Sequence, residues 1–308
     1  MPHPVLHSID RPIRIIGAAC GRGAPDPACA EGPAALKAAG IVEYLQLKTT
    51  GAVSWGGMLD CGQADLSAIE AVAELCPRLA EQTHAAIEEG SIPLVLSGDH
   101  SCAVGTWAGV SRALRRRGHL GLLWIDAHLD SHTPSTSHSG AVHGMPLAAL
   151  LGHGDARLTQ CGGPGPKLLP QAVCIVGVRS FEAEEVRFLG ELGVRVFYMD
   201  EINRRGVKAV LEDALQLVQA ETAGFGISVD LDAFDPLDAP GVGTPAASGI
   251  RAPELRRALR RLANHPSLVG IEISEYNPVQ DRDAMTARLV MELLDDLFAG
   301  DALQVAAA

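Results

Sequence analysis

Seven runs of mainly apolar residues punctuate the chain: residues 12–19 (PIRIIGAA), 92–97 (IPLVLS), 121–126 (GLLWID), 172–178 (AVCIVGV), 195–199 (RVFYM), 224–230 (GFGISVD) and 268–274 (LVGIEIS). Each is of strand length and lacks the polar alternation of a strand with one wet face, so each is predicted to be a strand buried on both sides. Between them apolar positions recur at helical spacing over residues 66–89, 103–117, 183–192, 207–220, 253–263 and 284–299, which predicts amphipathic helices. ALRRRG (113–118) and ALRRLANHP (258–266) place basic side chains just before Gly or Pro, a helix C-terminus. Strand and helix in alternation predict an α/β fold: a doubly wound parallel sheet with helices on both faces. No linker is visible, because the irregular stretch 161–170 (CGGPGPKLLP) only separates one α/β unit from the next. Residues 1–308 are therefore expected to form a single domain, with 301–308 as a frayed tail.

Composition narrows the function. Of the 308 residues 47% are hydrophobic, enough to fill one large core. Lys+Arg 25 against Asp+Glu 37 leaves a net charge of −12, which argues against a nucleic-acid partner. The seven cysteines are scattered, odd in number and without a CxxC pair. No disulfide framework is expected, and a reducing, cytoplasmic location fits. The opening MPHPVLHSIDRP is broken by proline and polar residues, unlike a secretion signal, and no apolar run reaches the roughly 18–20 residues of a membrane span.

The candidate chemistry lies where the apolar runs end. Residues 122–144, LLWIDAHLDSHTPSTSHSGAVHG, set Asp126, His128 and Asp130 two apart, and in extended backbone alternate side chains share a face. SVDLDAFDP repeats the device with Asp230 and Asp232, and IPLVLSGDH closes on His100. In open parallel sheets ligands bind beyond the carboxyl ends of the strands. Four aspartates converging there would repel, by roughly 4 kcal/mol for a pair ~4 Å apart at an effective dielectric of ~20, unless cations held them. Carboxylates and imidazoles without thiolate favour two divalent ions of the manganese type. Such a pair can lower the pKa of a shared water towards ~7, and the implied reaction class is hydrolysis of an electrophilic carbon or phosphorus centre.

Six blocks together resemble the ureohydrolase family of arginases and agmatinases: SGDHS (97–101), DAHLDSHTP (126–134), SGAVHGMP (139–146), SVDLDAFDP (228–236), GVGTP (241–245) and EISEYNP (272–278). The resemblance implies a three-layer α/β/α arginase-like fold around a parallel sheet and a dinuclear manganese site. It assigns His100, Asp126, Asp130 and Asp230 to one ion and Asp126, His128, Asp230 and Asp232 to the other, with Asp126 and Asp230 bridging. It implies that a metal-bridging hydroxide attacks a guanidinium carbon. Asp130 would carry the proton to the leaving amine, His143 would act as general acid/base, and Glu275 would pair with the guanidinium. The loop TPSTSHSGAVHG is similar to the arginase version, which implies that Ser137, Ser139 and His132 meet an α-carboxylate while Glu182 and Glu185 meet an α-amino group. His132, Ala141 and Ser180 depart from the arginase pattern of Asn, Asn and Asp. L-arginine is the leading substrate. Agmatine, 4-guanidinobutyrate and a non-catalytic, ureohydrolase-like subunit are the alternatives. The resemblance also implies a homo-oligomer, a trimer or hexamer. Asp99 is expected to orient a ligand or shape a turn, Asp235 to shape its loop, and Trp55, Trp107 and Trp124 to serve packing; His138, in the substrate loop, is the less favoured candidate for the entrance.

Overall fold

The computed structural model describes residues 11–62 and 65–298; the predicted tail at 301–308 lies outside them. Eight strands form one sheet in the order β2-β1-β3-β8-β7-β4-β5-β6. They are β1 (Ile13–Ala19), β2 (Val53–Asp60), β3 (Ile92–Ser97), β4 (His119–Ile125), β5 (Val173–Val178), β6 (Arg195–Tyr198), β7 (Thr222–Asp230) and β8 (Leu268–Ser274). Every pairing is parallel. All seven predicted runs are strands. The eighth, β2, escaped prediction because it is an edge: it pairs only with β1, across a bulge, and its residues are half-buried or exposed after Val53. An edge strand needs no two-sided apolar run.

Helices of seven or more residues among those described are α1 (Gly32–Ala38), α2 (Ile41–Lys48), α3 (Ala68–Glu88), α4 (Ala103–Leu114), α5 (Ala183–Leu192), α6 (Met199–Arg205), α7 (Val207–Gln219), α8 (Ala252–Leu259) and α9 (Met285–Phe298). The six predicted helices are present within a few residues; α1, α2 and α6 are short and were not predicted. Alternation along each strand divides the core in two. Ile15, Leu96, Ile125, Val176, Ile227 and Ile271 face α2 and α7 to α9. Leu122, Trp124 and Ile175 face α4, and Ile16 and Val95 face α3. The result is a three-layer α/β/α arrangement, and it explains why the strands read as unbroken apolar runs. None of the described helices is long and apolar enough to cross a membrane.

Close backbone approach fixes the sheet's carboxyl edge. A Cβ on Gly98 would sit 1.9 Å from the carbonyl oxygen of Cys20. The bare glycine lets Gly98 N–H donate to Ala18 O at 2.8 Å and Asp99 N–H to Cys20 O at 2.7 Å. These bonds tie the end of β3 to the end of β1 and deliver His100 inward. The cysteine expectation needs one correction. Cys20 and Cys61, at the carboxyl ends of adjacent strands, are paired as a disulfide with Cα atoms 5.5 Å apart, while the other five cysteines are free and buried. Cysteines 41 residues apart in sequence carry no local signal of that proximity.

Candidate active site

The ends of three central strands, β3, β7 and β4, with β8 between β3 and β7, supply the metal-binding candidates. β4 stops at Ile125 and β7 at Asp230, so the residues after Asp126 and Asp230 are not extended, as the two-residue spacing had suggested. Each aspartate instead caps a turn. Asp126 Oδ1 accepts the N–H of His128 at 2.7 Å, and Asp230 Oδ1 accepts the N–H of Asp232 at 2.8 Å. The turn doubles the chain back so that residues i and i+2 still converge. His100 opens a short 3-10 turn whose N-cap is Asp99, and Asp99 also accepts the N–H of Gly23 at 2.8 Å. Asp235 likewise accepts the N–H groups of Leu237 and Gly249, so both aspartates shape turns as predicted.

His100 Nδ1 stands 3.1 Å from Asp126 Oδ2, 3.1 Å from Asp130 Oδ2 and 3.2 Å from Asp230 Oδ2. His128 Nδ1 stands 3.0 Å from Asp232 Oδ2 and 3.5 Å from Asp126 Oδ1. One ring nitrogen carries at most one proton, so it cannot bond three carboxylates at once. Atoms that share one ion at about 2.1 Å stand about 3 Å apart, and this donor set fits that spacing. Two of the three groups with metal-binding character among the described residues lie here, one of His100, Asp126 and Asp230 and one of Asp126, His128 and Asp232, with Asp126 in both; the third is His132, Glu182 and Glu185. Asp130 joins the first through its contact with His100.

The electrostatics need cations. All four aspartates are buried. Burial, then the charge of Asp126, pushes the Asp130 carboxyl up to about 7. Burial and the charges of Asp232 and Asp126 push Asp230 well above the carboxylate range. Burial opposes ionisation of Asp126 too, yet hydrogen bonds from His100 and His128 hold it low. Burial disfavours the charged forms of His100 and His128, but surrounding carboxylates raise both. Without ions the cluster hoards protons; divalent cations would replace them.

Above the cluster lies a cavity of about 250 Å³, whose wall includes Asp130, His132, Ser137, Ser139, His143, Glu182 and Glu185. His138, Ala141 and Ser180 also line it, as does Thr244 of the GVGTP block, whose Oγ1 donates to Asp232 Oδ2 at 3.1 Å. Ser137 and Ser139 accept loop N–H groups, of Gly140 at 3.0 Å and Ala141 at 3.2 Å, which leaves both O–H groups to donate. His132 Nε2 contacts Glu182 Oε2 at 2.7 Å. Glu185, buried, accepts the N–H groups of Ser131 and Glu182. Glu275 is placed differently from the others: it lies fully buried behind His143 and off the cavity wall. Its Oε1 contacts His143 Nδ1 at 3.1 Å and accepts the N–H of His100 at 2.9 Å, and its Oε2 takes the thiol of Cys29 at 3.2 Å. Burial would raise its pKa, but the His143 contact holds it low; reciprocally His143, though half-buried, is pushed up to about 9. Asp130 and Glu275 both have left-handed backbone, φ 47° and 65°, which costs about 1–3 kcal/mol each and marks positions the surroundings force.

Sequence reasoning missed several contributors. Trp124 does more than pack: its Nε1–H donates to Asp126 Oδ2 at 2.9 Å and its ring stacks on His100 at 4.2 Å. Trp124 precedes Asp126 by two, so strand alternation placed it on the same side. Arg179 donates to the carbonyls of Asp232 at 2.6 Å, Ala246 at 2.8 Å and Ala247 at 3.0 Å and so fastens the Asp232 turn to the cavity rim. Cys29 had no signal, being 246 residues from Glu275.

Fold and site define an α/β/α protein with a carboxylate–imidazole centre suited to two divalent ions. The Arginase family model matches residues 11–300. An arginase of Bacillus caldovelox is 39% identical over 296 residues, 94% of this chain and 98% of that one. The crystal structure of an arginase from Bacillus cereus superposes with a TM-score of 0.87 at 37% identity, covering 95% of this chain and 99% of the other. That of an Entamoeba histolytica arginase in complex with L-ornithine gives 0.85 at 27% identity, covering 94% and 98%. The chain belongs to the arginase family, and that membership implies a dinuclear divalent-metal site where these donors meet.

Proposed function

We propose that this chain is a hydrolase that cleaves the guanidinium group of L-arginine to urea and L-ornithine. One observation carries the reading. Six imidazole and carboxylate donors, Asp130 among them through its contact with His100, close around two adjoining points beneath a cavity that Ser137, Ser139, Glu182 and Glu185 also line, in a chain of the arginase family. His100, Asp126, Asp130 and Asp230 would hold one ion and Asp126, His128, Asp230 and Asp232 the other. Oxygen and nitrogen donors without thiolate favour manganese. When bound, the ions supply a water ionised near neutral pH and polarise the substrate.

The chain's own groups do the rest. Asp130, on the cavity wall, accepts the proton of the attacking solvent and delivers it to the departing amine. His143 keeps Nδ1 on Glu275, which leaves Nε2 to exchange a proton with the amine. A carboxylate has about four acceptor sites; three on Glu275 are engaged by His143, the His100 N–H and Cys29, so Glu275, buried off the cavity wall, would act by holding His143. Ser139, Ser137 and His132 would meet the α-carboxylate, and Glu182 and Glu185 the α-ammonium.

Ala141 and Ser180, small side chains on the same wall, favour a second reading in which agmatine or 4-guanidinobutyrate is the better substrate. Urea release from arginine, agmatine, 4-guanidinobutyrate and guanidine by the Mn2+-loaded protein separates the two. No urea from any of them at full metal occupancy ends the enzyme reading and leaves the non-catalytic subunit. We further propose a cytoplasmic homo-oligomer in which residues 1–308 act as one domain on a small guanidino substrate. Mass photometry reads the oligomer.

A further inference from the structure

One pleat beneath the metal-binding donors, a lateral row crosses three central strands. Trp124 of β4 is in register with Ser228 of β7, and Ser228 with Glu272 of β8. All three are buried. Glu272 Oε1 accepts from Thr106 Oγ1 of α4 at 2.8 Å, and its Oε2 accepts from Ser228 Oγ at 3.0 Å. Ser228 Oγ stands 3.0 Å from His100 Nε2. Nothing in the reaction above uses Glu272, and a carboxylate buried in a sheet costs stability that an apolar residue in register with Val95 would not.

The chain of bonds has a direction. A carboxylate only accepts, so Ser228 gives its one proton to Glu272. The Ser228 oxygen is then an acceptor for His100 Nε2–H. With the proton on Nε2, Nδ1 keeps its lone pair, and Nδ1 is the nitrogen that faces Asp126, Asp130 and Asp230. We propose that Glu272, acting through Ser228, is a positioning residue that fixes His100 in the tautomer able to donate Nδ1 to a divalent cation. The proposal rests on His100 as a metal-binding residue but not on the reaction catalysed. Partners of this kind orient the ring and raise the ligand's basicity.

Glu272→Gln tests it at nearly constant shape. The amide keeps one acceptor for Thr106 and turns an NH2 towards Ser228. The Ser228 hydroxyl then points at His100 Nε2 and favours the Nδ1–H form, which cannot bind. Titration of metal-free protein with Mn2+, followed by the EPR signal of free Mn2+, should show one of two ions weakened roughly ten- to a hundredfold and the other unchanged. Ser228→Ala should weaken the same ion, and the double variant should cost less than the sum of the two single variants, because the hydrogen-bonded link from Glu272 to His100 runs through Ser228. Unchanged binding, equal loss of both ions with a lower melting temperature, or costs that add in the double variant would each overturn the proposal. If Glu272→Gln does not fold, Ser228→Ala decides by itself: both ions bound as in the parent overturns it. No guanidino compound enters the experiment, so failure of the arginine reading would show separately, as missing urea.

Discussion

Glu275 Oε1 stands 3.1 Å from Nδ1 of His143, a residue 132 positions earlier in the chain. The contact fixes the imidazole with Nε2 outward and leaves Glu275 beneath it, anchored also by the His100 N–H. Glu275→Gln should therefore weaken the hold on His143. A hydrogen bond to a charged group is worth about 1.5–3 kcal/mol, so kcat/KM for arginine should fall roughly tenfold to over a hundredfold. Steady-state urea release measures it; a variant with parental kcat/KM would remove Glu275 from the reaction.

Asp126 is shared by both metal-binding groups. Asp126→Ala should lower bound Mn2+ from two ions per chain towards none and reduce turnover by more than the roughly ten- to hundredfold of losing an outer partner. Elemental analysis after gel filtration reads the stoichiometry. Two ions retained would show that the cluster does not share this carboxylate.

Stability of the metal-free protein should depend on pH with a definite sign. Asp130 is pushed up to about 7, Asp230 is raised, and His100, His128 and His143 are raised. Each binds more protons folded than unfolded. Their contribution is complete below the unfolded pKa values and is lost as pH rises through the folded ones. His265, lowered by burial, acts oppositely, but it is one partly exposed group. The lowered carboxylates Asp126 and Glu275 matter only below about pH 4.5. The melting temperature should thus fall between pH 5.5 and pH 8, roughly, and Mn2+ should raise it more at the higher pH, where fewer protons must be displaced. A flat or rising profile in a chelator-treated sample contradicts the proton-hoarding cluster.

Ala141→Asn restores an amide to the cavity wall. If arginine is bound through its α-carboxylate near Ser139, KM for arginine should drop roughly tenfold to over a hundredfold, the value of one hydrogen bond to a charged group. KM for agmatine, which has no carboxylate, should not move. Equal shifts for both compounds would place the carboxylate elsewhere.

Much of this architecture is legible locally. The apolar runs marked seven strands because burial on both faces suppresses alternation, and β2 stayed hidden because an edge strand lacks that constraint. The six metal-binding candidates stood at strand ends, although the doubling at Asp126 and Asp230 comes from side-chain capping of turns and not from an extended segment. Trp124 and Ser228 were within reach, each two residues before an aspartate at the end of its own strand. Glu272 needed register, and Cys29, Arg179 and the Cys20–Cys61 pair needed proximity that no spacing encodes.

By itself the sequence determined which segments become strands and helices and which side chains stand where those strands end, since periodicity and turn chemistry are local properties. The tertiary structure alone decided that β8 and β7 lie between β3 and β4, which brings His100 Nδ1 within 3.2 Å of carboxylate oxygens of Asp126 and Asp230, sets Glu275 behind His143 and couples Glu272 to His100. Strand order and register are set by how whole faces pack against their helices, a property no single stretch of chain possesses.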